Sequence, residues 1–121
     1  KSIDVGTGGA QMTPLGFAEL DKVAASTADK AEILRDFVAQ AWSDFAEMEA
    51  AMSAADLAGL VRIAHRVKGS SRMVGARELT SVCAQVEQSA RQGGQPGVGA
   101  VSVALRRLEA FLAERVDVDH A

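Results

Sequence analysis

Apolar residues return at alternating steps of three and four along four separate stretches of this chain. Leu34, Val38, Ala41, Phe45, Met48 and Met52 form the first, with Ile33 and Phe37 widening it. Leu57, Leu60, Ala64, Val67, Ser71 and Val74 form the second. Leu79, Val82, Cys83, Val86 and Ala90 follow, and then Val101, Ala104, Leu105, Leu108, Phe111 and Leu112. This period marks one face of an α-helix, and no segment alternates with the period of two that a half-buried strand requires. Each helix has to bury its stripe against another. Consecutive helices joined by short loops do so most simply as antiparallel neighbours. The expected fold class is all-α: an antiparallel up-down four-helix bundle with a short additional N-terminal helix.

Turn and cap residues place the boundaries. Residues 1–12 are rich in glycine and small polar residues and read as a flexible linker. Thr13 and Pro14 read as the N-cap and first position of the short helix, which packs through Leu15, Phe17, Leu20 and Val23 and covers one end of the bundle. Ser26 or Thr27 caps the next helix, which is predicted to run to about Met52. Its outer face carries Asp36, Asp44, Glu47 and Glu49 and reads as solvated, while Trp42, beside the stripe, reads as core. Ser53 with Asp56 resembles a capping box opening the following helix, and Gly75 is placed to end it. The next helix spans Ala76 to Arg91, Gly93-Gly94-Gln95-Pro96-Gly97 breaks the chain, and the last helix spans Val98 to Arg115. The domain organisation expected is linker 1–12, one domain over 13–115, and a frayed tail over 116–121.

Composition removes several function classes. A chain of 121 residues suffices for one domain with one core. A net charge of −3 does not suit a nucleic-acid binder. A lone cysteine, Cys83, excludes an intrachain disulfide and fits a reducing compartment. No apolar run reaches membrane-spanning length, and no GxxxxGK[ST] loop or metal-ligand cluster is present. The chain starts at Lys1 rather than Met, so it is expected to be a piece of something longer.

The second stripe leaves His65 on the outer side of its helix. Helical neighbours lie three and four residues apart, so His65 stands beside Lys68 and Gly69, with Arg62 one turn earlier and Arg72 two turns later. Arg66 is next to it in sequence. A neutral imidazole is a good nucleophile toward an activated phosphoryl group near pH 7. The surrounding cations suit the charge such a group brings, and a residue without a side chain, Gly69, leaves room for an approaching surface. The helix is locally basic on an acidic protein, so the partner at this face should be acidic.

The run His65-x-x-Lys68-Gly69-Ser70-Ser71, followed by Gly75-Ala76, resembles the signature of histidine-containing phosphotransfer (HPt) domains. The later pattern Leu79, Cys83, Val86-Glu87 and Ala90 is similar to the helix that follows in that family, and the likeness extends over about Phe17 to Arg115. The resemblance implies phosphorelay: His65 takes a phosphoryl group on Nε2 from the aspartyl phosphate of a receiver domain and passes it to the receiver of a response regulator. It implies charge neutralisation by Lys68 and docking clearance at Gly69. Some members carry Gln at the position of Glu87, bonded to the other ring nitrogen. Glu87 is therefore read as orienting the imidazole, with a plain solvated carboxylate as the alternative. Arg91 falls at a position that is basic in a member of the family. Arg62, Arg66, Ser70, Arg72 and Arg91 are candidate partner or phosphoryl contacts, and Ser71 is assigned to packing.

No cofactor of its own is implied; Mg²⁺ comes with the receiver. The expected partners are receiver domains of a hybrid kinase and of a response regulator, with no nucleic acid and no direct membrane contact, and the module is expected to be a monomer. It is read as a phosphocarrier rather than an enzyme, cytoplasmic, either free-standing or tethered to the inner membrane as the C-terminal part of a hybrid sensor kinase. Two other readings stand beside this one. The dimerisation and phosphoacceptor domain of a histidine kinase is disfavoured by Arg66 after the histidine and by the lack of a nearby proline. A non-catalytic four-helix adaptor is the other.

Overall fold

In a computed structural model, residues 27–120 are described, with side chains over 29–114. The expected linker, the short helix begun by Thr13-Pro14, the Ser26 cap and Ala121 lie outside the described residues. The described chain forms four helices and no strand: α1 over Thr27–Ser53, α2 over Leu57–Met73, α3 over Arg77–Arg91 and α4 over Gly99–His120. Helix α2 packs between α1 and α3, and α4 closes the far side against the same two helices. The core fills the space between them. Leu60, Met48, Leu79, Leu105 and Leu108 are almost wholly withdrawn from solvent. Burial of each such side chain contributes about 1.5–3 kcal/mol.

The first three helices end in the same way. The amide of the second residue past the cap donates to the carbonyl five residues back, and the amide before it donates to the carbonyl three residues back. Asp56 N to Ala51 O (2.8 Å) with Ala55 N to Met52 O (3.0 Å) closes α1. Ala76 N to Ser71 O (2.8 Å) with Gly75 N to Arg72 O (3.1 Å) closes α2. Gly94 N to Ser89 O (2.9 Å) with Gly93 N to Ala90 O (3.1 Å) closes α3. This motif needs a left-handed residue at its corner. Gly75 (φ 77°) and Gly93 (φ 71°) supply it readily, whereas Ala55 adopts φ 55° with a Cβ in place. The turn at Ala55 reverses the chain within three residues, and the one at Gly75 does the same. Together they fix the register of the His65 helix between its neighbours.

Four expectations are corrected. Ser53 does not open α2 but ends α1; the N-cap is Asp56, whose Oδ1 accepts from Gly59 N at 2.9 Å. The turn at Ala55 consumes the residues between, so the cap falls three positions later. Asp44 is not solvated: it is 3% exposed and lies in the stripe with Ala41 and Met48. The stripe of α1 accordingly runs through Asp44 and Ala51, leaving Phe45 and Met52 half-buried at its edge. Trp42 is half-buried rather than core: its Nε1 donates to Glu109 Oε2 of α4 at 3.0 Å, and its ring meets Phe45 edge-on at 5.8 Å. Helix α4 continues through His120, beyond the predicted end at Arg115. No glycine or proline interrupts residues 100–120.

Candidate functional site

Helix α2 sorts its residues as the seam predicted. Leu60, Ala64, Val67, Ser71 and Val74 are buried, Leu57 is half-buried, and His65 is turned outward with 65% of its side chain exposed. Ser71 is fully buried and satisfies its hydroxyl by donating to Val67 O at 2.5 Å. Ser70, one position on and exposed, also turns its hydroxyl back to the helix, toward the carbonyls of Val67 (3.2 Å) and Arg66 (3.3 Å).

Glu87 reaches the histidine from α3. It is 6% exposed, so it is not a solvated carboxylate. Its Oε2 lies 3.2 Å from His65 Nδ1 and accepts from Arg91 Nη2 at 2.7 Å and, more weakly, Nε at 3.3 Å. Its Oε1 faces Lys68 Nζ at 2.8 Å, an ion pair in which no hydrogen bond is well aligned on the oxygen. Lys68 first, then Arg91, and more weakly His65, hold the Glu87 carboxyl down at about 2 against the opposing effect of burial. A carboxylate that stays ionised can only accept, so in the neutral ring Nδ1 must carry the proton and Nε2 the lone pair. Among the described residues Nε2 has no partner.

The remaining candidates separate. Lys68 is 21% exposed and stowed against Glu87. Gly69, one turn beyond His65, has nothing within 4 Å of where a Cβ would stand. Arg62 and Arg72 are exposed on either side of the histidine. Arg66 is drawn away from it: Nη2 donates to Asp44 Oδ1 at 2.8 Å and to Glu47 Oε1 at 3.3 Å, both on α1. Asp44 foremost raises its guanidinium above the ordinary value. Sequence reasoning missed Asp44 as the buried half of this pair, although its spacing from Ala41 and Met48 put it in the stripe. Gln40 Nε2 donates to the same Oδ1 at 3.2 Å. The lone Cys83 is buried and its thiol is pushed up to about 12, by burial first and the Asp44 charge second, so it is no rival nucleophile. No cluster of three His, Cys, Asp or Glu that could hold a metal occurs among the described residues, and none of their helices is long and apolar enough to cross a membrane.

An exposed imidazole held through one nitrogen by a buried carboxylate, on a four-helix scaffold, is the arrangement the sequence resemblance implied. The Hpt domain family model matches residues 32–115. The chain belongs to the Hpt domain family. Hpt domains are phosphocarrier modules that exchange phosphoryl groups with receiver domains in two-component phosphorelays, and that is the function of this chain. Its fold is similar to the crystal structure of histidine-containing phosphotransfer protein B from Pseudomonas aeruginosa PAO1. The TM-score is 0.73 at 24% identity, over 84% of this chain and 93% of that one. No curated protein matches the chain.

Proposed function

We propose that His65 is the phosphoryl acceptor of this Hpt domain and that Glu87, Lys68 and Gly69 make it one. The observation that carries this reading is the Nδ1 contact with an ionised, buried Glu87 at 3.2 Å, which leaves Nε2 free and nucleophilic on the exposed side. The Nε2 lone pair attacks phosphorus in the aspartyl phosphate of a receiver. The phosphorus–oxygen bond to the aspartate breaks, and its electron pair leaves with the carboxylate. Nδ1 keeps its proton, so the phosphorylated ring becomes cationic and Glu87 balances that charge. In the second transfer the aspartate of another receiver attacks phosphorus and the nitrogen–phosphorus electrons return to Nε2.

Lys68 sits one turn from His65 and needs only to swing from Glu87 toward an arriving dianion to neutralise it. Gly69 admits the receiver surface. Arg62, Arg72 and Arg91 supply a positive rim, while Arg66 ties α2 to α1 through Asp44 and Glu47 and Ser70 bonds back to its own helix. The receiver brings the aspartate and Mg²⁺; this chain contributes positioning and charge. The donor is the receiver of a hybrid sensor kinase and the acceptor that of a response regulator. The module works as a monomer in the cytoplasm, as part of the kinase or as a shuttle.

Radiolabel separates this from the alternatives. The chain is incubated with ATP alone, and then with a phosphorylated receiver and Mg²⁺. Acid-labile, alkali-stable label is expected only in the second case and is lost in His65→Gln. Label from ATP alone would instead identify a kinase phosphoacceptor domain, and no label from any receiver of the source genome an adaptor.

A further inference from the structure

Two large apolar side chains are exposed among the described residues, Met73 at 65% and Val103 at 50%. Their settings differ. Val103 lies on α4, which packs on α1 and α3 and stands across the bundle from α2. Met73 lies on α2 itself, two turns past the histidine. Residues four apart form a continuous ridge on a helix. The ridge here is Val61, His65, Gly69 and Met73, with Val61 half-buried and the other three exposed. Beside it run Arg62 and Arg66 on one side and Lys68 and Arg72 on the other, and α2 carries no carboxylate. The strip therefore presents a nucleophile, then a gap where no atom stands within 4 Å of a Gly69 Cβ, then an exposed thioether about 12 Å along the axis from His65.

We propose that Met73 is the apolar anchor of the docking surface: the receiver domain lies lengthwise along α2, its acidic phosphate-bearing pocket over His65 and an apolar side chain of its rim packed on Met73. This rests on the phosphoacceptor reading above and names how the partner is held. Arg62 and Arg72, exposed on either side of the ridge, match an acidic pocket, and Lys68 joins them when it swings from Glu87, whereas Arg66 stays with Asp44 and Glu47. These cations cannot hold its far edge, where Arg72 is the last charge and Met73 the last helical residue. A flexible, polarisable thioether suits a module that must accept two different receivers in turn, because it repacks against differing surfaces. Met73 takes no part in the transfer chemistry, so its contribution falls on encounter and not on the chemical step.

The test is the initial rate of transfer to the 121-residue chain from a receiver phosphorylated with acetyl phosphate and freed of it, across receiver concentrations. Met73→Ala is expected to raise KM roughly tenfold with kcat within about twofold, Met73→Leu to stay near wild type, and Met73→Glu not to saturate. Val103→Ala should match wild type. Phosphoramidate, a small donor that needs no docking, should label His65 equally in every variant, and their melting should be unchanged. A Met73→Ala KM within about twofold of wild type, with wild-type transfer intact, overturns the anchor alone. A wild-type chain labelled by phosphoramidate but by no receiver overturns the phosphorelay assignment and the anchor with it.

Discussion

Replacing Glu87 by Gln removes one charge from a buried cluster and leaves one carbonyl oxygen that can stay with His65 and Arg91, while the amide nitrogen, a donor, takes the place that faced Lys68. Glu87 is held at about 2, against an ordinary value of 4.5, chiefly by Lys68 and Arg91. A carboxyl held at about 2 where it would ordinarily titrate at 4.5 favours the folded state by on the order of 3 kcal/mol at neutral pH. His65 and Arg91 are 65% and 57% exposed, so solvent screening reduces the net to ~2 kcal/mol. The sign follows from the direction of the shift. A carboxyl whose folded pKa is depressed contributes its full stability above the unfolded value near 4.5 and loses it as pH falls toward about 2. Urea unfolding followed by circular dichroism, from about pH 7 to about pH 2.5, should show wild type ahead of Glu87→Gln by ~2 kcal/mol at the upper end. The gap should close between about pH 4.5 and about pH 2. A gap that stays constant across that range, or widens in acid, would refute the charge account of the cluster and leave Glu87 as a packing residue.

Other consequences are independent of that cluster. Arg66→Ala should destabilise more than Asp44→Ala, by roughly 1–2 kcal/mol in thermal melts, because the first strands a carboxylate that is 3% exposed while the second frees an arginine already half in solvent. Equal costs would mean the pair is not what holds Asp44 in place. Ala55→Gly should raise stability by about 0.5–1 kcal/mol, since it relieves a Cβ at φ 55° against a smaller unfolded-state entropy loss; a lower melting temperature would contradict the turn geometry. Gly69→Glu should keep full helicity, as open space awaits the side chain, yet abolish labelling by a phosphorylated receiver. Full transfer in that variant would move the docking face elsewhere.

The bundle was legible because four stripes at helical spacing leave few other solutions, and the seam of α2 predicted the outward turn of His65 correctly. The parts that escaped depend on contacts between helices. The acidic residues of α1 look alike in sequence, yet Asp44 alone among Asp36, Asp44, Glu47 and Glu49 is buried, because Arg66 of α2 arrives opposite it. Glu87 could be read either way until α3 was docked against α2, when it fell between Lys68, Arg91 and the ring. Ser53 and Asp56 are both ordinary caps, and the choice between them was made by Ala55 adopting a left-handed turn that its own residue type does not announce.

The most direct measurement is which imidazole nitrogen of His65 carries phosphorus. Long-range nitrogen–proton NMR on the phosphorylated chain distinguishes the two. With Nδ1 given over to Glu87 at 3.2 Å, the phosphoryl group is expected on Nε2 while Nδ1 keeps its proton. Phosphorus on Nδ1, or on any residue other than His65, would contradict the site as described.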